Sequence, residues 1–157
     1  MVQGVTNEMA RLAVATTARS RRNRVVGLAW PLHGVDAMTM DEFWALIEVA
    51  RTNHDTYLQR LKALSQEALV DLYWTYEETA AELRGDRHVR SFPKGTSHDA
   101  MVDFGGWVVS EGRQVYEDLL KHPAKVRSHK CGTMMFVADV TAEYKARYKT
   151  YVPLRPD

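Results

Sequence analysis

The chain carries a single cysteine in 157 residues, almost no net charge and no long apolar run. Lone Cys131 excludes an internal disulfide and the thiolate clusters of zinc fingers and iron–sulfur sites; it reads as a small residue in or beside the core. Twenty-one basic residues against 20 acidic ones, a formal charge of +1, argue against a dedicated nucleic-acid binder. No apolar segment approaches the roughly 18–20 residues that cross a bilayer, so no membrane contact is expected and cytoplasmic residence is the simplest expectation. Motifs are lacking too. There is no Gly-x-Gly-x-x-Gly cradle, no Walker A loop and no His-Glu-x-x-His pair, and Ser110 sits in no nucleophile elbow. Kinase, zincin and seryl-hydrolase readings therefore lack support, and neither a cofactor nor a metal is expected.

What is present suits one soluble domain: 45% hydrophobic and 26% charged residues in a length typical of a single core. The charge is uneven. Arg11, Arg19, Arg21, Arg22 and Arg24 crowd residues 1–40 against only Glu8 and Asp36. Residues 1–37 read as a flexible basic extension. A transit peptide fits less well, because the apolar residues make no helix face, and a nucleic-acid tail is the third option.

From Met38 onward, helical periodicity takes over. Thr39 and Glu42 have the spacing of a capping box. Phe43, Ile47, Ala50, His54, Leu58 and Leu61 form one stripe, which predicts a single helix over 41–63. Ser65 caps a second helix, whose apolar face runs Leu69, Leu72, Tyr73, Tyr76, Ala80 and Leu83 before a stop at Gly85. Residues 85–97 have no period and read as a loop rich in Arg87, Arg90 and Lys94. Ser97 caps a third helix over 98–121 with Met101, Phe104, Val108, Val115 and Leu119 on one face, closed by Pro123. Gly105 and Gly112 lie beside that face, as a close helix crossing requires. The apolar run 134–140 suggests a short strand, and a further helix is expected from Thr141. The expected architecture is mainly α: a compact domain of three to five helices over 38–150, with irregular loops, a short strand near 134–140 and a tail at 151–157.

Two stretches carry a family resemblance. One is Met40-Asp41-Glu42-Phe43-Trp44-Ala45-Leu46-Ile47-Glu48. The other runs from Ser97-His98-Asp99 through Phe104-Gly105-Gly106-Trp107 to Glu111-Gly112-Arg113, continuing to His122-Pro123. In this order they resemble the DUF4240 family over about residues 38–148, with departures at His98, Gly105 and His122. The resemblance implies shared helical architecture. It implies no established chemistry, although some similar proteins accompany bacterial natural-product or peptide-modification systems.

Candidate chemistry is sparse, and each candidate has a structural alternative. Asp99 and Asp103, four residues apart, share one helix side and can act as an acid–base pair or, with His98, as metal ligands; a helix-start residue and an ion-pair partner are the plainer roles. His54 interrupts an apolar stripe and is either a satisfied core histidine or a proton carrier, oriented by Tyr76 or Glu77. Arg113 can grip a carboxylate or phosphate, or pair with an acid of the first two helices. Trp107 is a binding wall or a packing residue. Arg90, with the rest of the basic loop, is an anion contact or part of a solvated loop. Two functions follow. One is a small helical binding or accessory module for an acidic peptide or small molecule, using Arg90, Trp107 and Arg113. The other is a small tailoring enzyme using His54 with Asp99 or Asp103. A monomer and a homodimer are equally compatible with the pattern.

Overall fold

A computed structural model describes residues 37–132 and 134–155. The expectations for the basic extension up to residue 36 lie outside the described residues, as do the last two positions of the tail. Among the described residues seven α-helices follow one another: α1 (Met40–Thr52), α2 (His54–Ala63), α3 (Gln66–Glu82), α4 (Asp86–Val89), α5 (His98–Ser110), α6 (Arg113–Lys121) and α7 (Val137–Tyr148). A 3₁₀ turn at Pro123–Arg127 separates α6 from the connection to α7. The class is the expected one, but seven helices replace three to five, because two of the predicted long helices are broken and a short one forms inside the basic loop.

The predicted N-termini are built as their sequences require. Thr39 and Glu42 make a reciprocal capping box at α1, while Ser65 and Ser97 accept the backbone N–H groups of Ala68 and Ala100 at α3 and α5. The first break falls at Asn53, which adopts φ −152° and ψ 88° and accepts the Thr56 N–H through its side chain. An asparagine that caps the following turn competes with helix continuation. The break re-aims the stripe: Tyr57 and Leu61 are fully buried, whereas Leu58 and His54 are only half-buried. The second break falls at Gly112, whose φ of 98° is accessible to glycine and strained for any other residue. Pro123 begins the 3₁₀ turn just past the end of α6, where its missing N–H costs nothing. Gly85 stops nothing by a left-handed turn; at φ −64° it serves as the N-cap of α4.

The centre of the fold is the packing of α3 against α5 on one side and α7 on the other, with α1 and α2 paired and α2 also meeting α7. Gly105 explains how closely α3 and α5 approach. A Cβ placed there would lie 2.5 Å from the carbonyl oxygen of Ala80. Leu69, Leu72, Leu83, Val108 and Val109 of these two segments belong to the core and are essentially inaccessible. Each such side chain contributes about 1.5–3 kcal/mol relative to exposure.

Among the described residues no strand forms, which corrects the expected strand near 134–140. A lone strand has no neighbour to pair with, and side chains satisfy this backbone instead. Phe136 donates its N–H to the Ser110 hydroxyl at 3.1 Å, and its carbonyl accepts from the Tyr57 hydroxyl at 3.0 Å. The same Ser110 hydroxyl lies 2.6 Å from that of Tyr76, which also donates to the Gly106 carbonyl. Buried tyrosines thus clamp the start of α7 onto α5. Burial pushes the phenols of Tyr57 and Tyr76 above their ordinary range, so both stay neutral donors. The final helix starts at Val137, four residues before its expected start.

Candidate functional site

The basic loop is more ordered than its composition suggests. Gly85 opens the one-turn α4, and the buried His88 side chain donates through Nε2 to the Leu119 carbonyl at 3.3 Å. Phe92 packs edge-on against Phe104 of α5, with ring centroids 5.0 Å apart. These anchors set α4 against the 3₁₀ turn. Two basic stretches distant in sequence therefore meet at one corner of the domain. Residues 84–96 and 121–132 together contain eight lysines and arginines and one acid, Asp86. Lys125 grips both carboxylate oxygens of Asp118 at 2.8 Å, and Lys121 lies 3.8 Å from Glu117. Arg87, Arg90, Lys94, Arg127 and Lys130 are exposed and, among the described residues, form no ion pair. Such an excess of one sign produces a positive potential at the surface.

Beside this corner lies a groove of about 550 Å³. Val115, Asp118 and Leu119 of α6 form one wall, and Lys125, Ser128 and His129 the other. Lys125, then His122, hold the Asp118 carboxyl below its ordinary value, so it is charged at neutral pH and the pair is an internal strut of the wall. A second groove of about 470 Å³ lies where Val70 and Trp74 of α3 and Tyr144 of α7 meet Pro153 and Arg155.

Beside the first groove, and sharing His129 with its wall, three chemically different side chains converge. Glu111 caps the C-terminal end of α5, and His129 and Cys131 follow the 3₁₀ turn. His129 Nε2 lies 2.6 Å from one Glu111 carboxylate oxygen, and the other accepts the Gly132 N–H at 3.0 Å. The His129 ring also meets the Phe104 ring edge to face. Cys131 completes a group whose ligand atoms all lie within 4.8 Å of one another. Burial, aided by the Glu111 charge, pushes the Cys131 thiol up to about 12, so it is protonated at neutral pH. Sequence reading missed this trio because Glu111 lies 18 and 20 residues from His129 and Cys131, and the three match no ligand-spacing motif.

The other predicted site residues are dispersed. His54 donates from Nε2 to Asp139 of α7 at 2.9 Å, between the rings of Tyr57 and Phe136, so its partner is neither Tyr76 nor Glu77. Asp99 is almost fully exposed, and among the described residues its one close basic side chain is the likewise exposed His98 at 3.9 Å. Asp103 and Trp107 are half-buried on α5. Among the described residues neither aspartate bonds to His54, and His54, Asp99 and Asp103 line neither groove. Arg113 bridges Asp41 of α1 at 2.8 Å and Glu117 at 2.7 Å, and both contacts raise its pKa. Arg90 belongs to the cationic corner. Its partner stretch, Lys121–Lys130, was legible only as Lys and Arg density without intervening acids.

The chain was compared with curated proteins and with solved structures, and no match was found in either set. A family comparison did match: the family described as "Protein of unknown function (DUF4240)" covers residues 38–148, which include α1 to α7 and every side chain of the cationic corner and the groove. The chain belongs to the DUF4240 family.

Proposed function

We propose that this protein is a small helical binding module that captures an acidic peptide on the cationic corner between α4 and the 3₁₀ turn. The observation that carries the reading is the meeting of two basic stretches whose exposed members, Arg87, Arg90, Lys94, Arg127 and Lys130, have no ion-pair partner among the described residues. Arginine forks suit planar carboxylates, and the adjoining groove supplies the half-buried Val115 for an apolar side chain of the same peptide. Arg113 contributes less than its sequence position suggests, because Asp41 and Glu117 already occupy it. The test is fluorescence anisotropy of a labelled glutamate-rich peptide at low and at physiological ionic strength. Charge reversal by Arg87→Glu with Arg127→Glu should weaken binding about tenfold or more, equivalent to about 1.4 kcal/mol. Unchanged affinity in that variant overturns the reading, as does tight binding of a single-stranded oligonucleotide in place of the peptide.

A second reading, a small tailoring enzyme, draws on the His54–Asp139 pair. A carboxylate that accepts from Nε2 fixes the tautomer and leaves Nδ1 as the free acceptor of the ring. Turnover of a small carboxylate or peptide substrate, abolished by His54→Ala in a folded variant, supports this reading. Undiminished turnover in a folded His54→Ala variant removes it.

A further inference from the structure

We infer that Glu111, His129 and Cys131 form a binding site for one divalent transition-metal ion with the ligand preferences of zinc, its fourth position left to water or an exogenous anion. The inference goes beyond the peptide-binding proposal and does not depend on it.

Geometry comes first. Around a tetrahedral ion with bonds of about 2.0–2.1 Å to nitrogen and oxygen and 2.3 Å to sulfur, neighbouring ligand atoms stand roughly 3.3–3.6 Å apart. The three donors here lie within 4.8 Å of one another, and the shortest separation, Glu111 to His129, is 2.6 Å. The required spacing falls inside that range. The carboxylate and imidazole need only part slightly, and the thiol need only swing inward.

The donors are also held from behind. One Glu111 oxygen accepts the Gly132 N–H, which leaves the other directed at His129. Phe104 abuts the imidazole edge to face, and Phe92 braces Phe104 in turn. Support of this kind orients ligands in metal sites. The side chains of Glu111 and His129 are about one-quarter exposed, shielded enough to compete with water and open enough for an ion to enter.

The donor set selects the ion. A thiolate and an imidazole are poor ligands for calcium and magnesium, which take oxygen, and good ones for zinc or cobalt. On binding, Cys131 releases its proton to solvent and so does any proton shared between His129 and Glu111. The dication then balances one thiolate and one carboxylate, giving a neutral centre. A plain Glu111–His129 contact that latches the connection before α7 to the end of α5 accounts for two of the residues and leaves Cys131 only as a small side chain packed beside the core.

The test is titration of the full chain with cobalt(II), followed by zinc competition. A single equivalent should produce a sulfur-to-cobalt charge-transfer band in the near ultraviolet and visible bands of tetrahedral intensity. Cys131→Ser should abolish the charge-transfer band while keeping the Glu111–His129 contact, and Glu111→Gln should weaken binding about tenfold or more. Because Cys131 is the one thiol in the chain, its alkylation rate in the native protein gives a second readout, and zinc should slow it by a similar factor. A charge-transfer band that survives in Cys131→Ser overturns the inference. So does alkylation at the same rate with and without zinc. Peptide anisotropy in Cys131→Ser should be unchanged, which separates failure here from failure of the cationic-corner proposal.

Discussion

At the crossing of α3 and α5, the polar groups are answered internally. Tyr76, Ser110, Phe136 and Tyr57 form a closed set of hydrogen bonds among apolar side chains, and among the described residues no buried side-chain nitrogen or oxygen lacks a partner. At the α4 corner the reverse holds: outside the anchors His88 and Phe92, the surface carries many charges, and several cations have no ion-pair partner among the described residues. A satisfied interior contributes stability and has nothing left to offer a ligand. An unsatisfied exterior contributes little stability and retains its full capacity to bind. The two regions should therefore respond oppositely to substitution.

The largest effect is expected at the helix crossing. Gly105→Val places carbon where the Ala80 carbonyl already stands, and should destabilise by about 3 kcal/mol or more in denaturant unfolding. If that variant does not fold, Gly105→Ala tests the same contact at lower cost. A loss below about 0.5 kcal/mol in Gly105→Ala would show that α3 and α5 can simply move apart. Next comes Ser110→Ala, which removes the acceptor of the buried Phe136 N–H and should cost about 1–3 kcal/mol. Native-state hydrogen exchange should locate that loss at the start of α7.

A smaller effect, of opposite sign, is expected at Glu77. Burial pushes its carboxyl above the ordinary value, with Arg84 partly opposing. A raised folded-state pKa means that the contribution to stability is complete below the unfolded value, near 4.3. It is lost as pH rises through the folded value. At neutral pH the folded state thus bears a desolvated carboxylate. Glu77→Gln should raise Tm at pH 7 and leave it unchanged near pH 3; an equal rise at both would assign the gain to packing instead. Smallest of all, Arg87→Glu with Arg127→Glu should change unfolding free energy by no more than about 0.5 kcal/mol while abolishing most peptide binding. A large loss of stability there would mean that the corner is structural after all.

Legibility in the sequence followed the range of the physics. Thr39, Ser65 and Ser97 were readable because a cap is decided within three residues, and the stripes of α1, α3 and α5 because burial repeats with the helical turn. The breaks at Asn53 and Gly112 escaped because the apolar spacing continues across each of them, although an asparagine followed three residues later by Thr56 was a local warning. The segment 134–140 was misread as a strand because its apolar content is real but its backbone partners, Ser110 and Tyr57, lie 26 and 79 residues away. The candidate site was the least legible. Half of the cationic corner was visible as a basic loop; the other half acquired meaning only when α4 packed on the 3₁₀ turn.

Composition and periodicity alone gave the mainly helical class, with a domain expected over 38–150, and three of its caps, because those features depend on neighbours along the chain. Tertiary structure decided where the helices break, which carboxylate meets His54, how the two basic stretches join and why Glu111, His129 and Cys131 share one space. Those outcomes depend on contacts between residues separated by tens of positions, and no local pattern encodes which distant side chain a folded backbone will present.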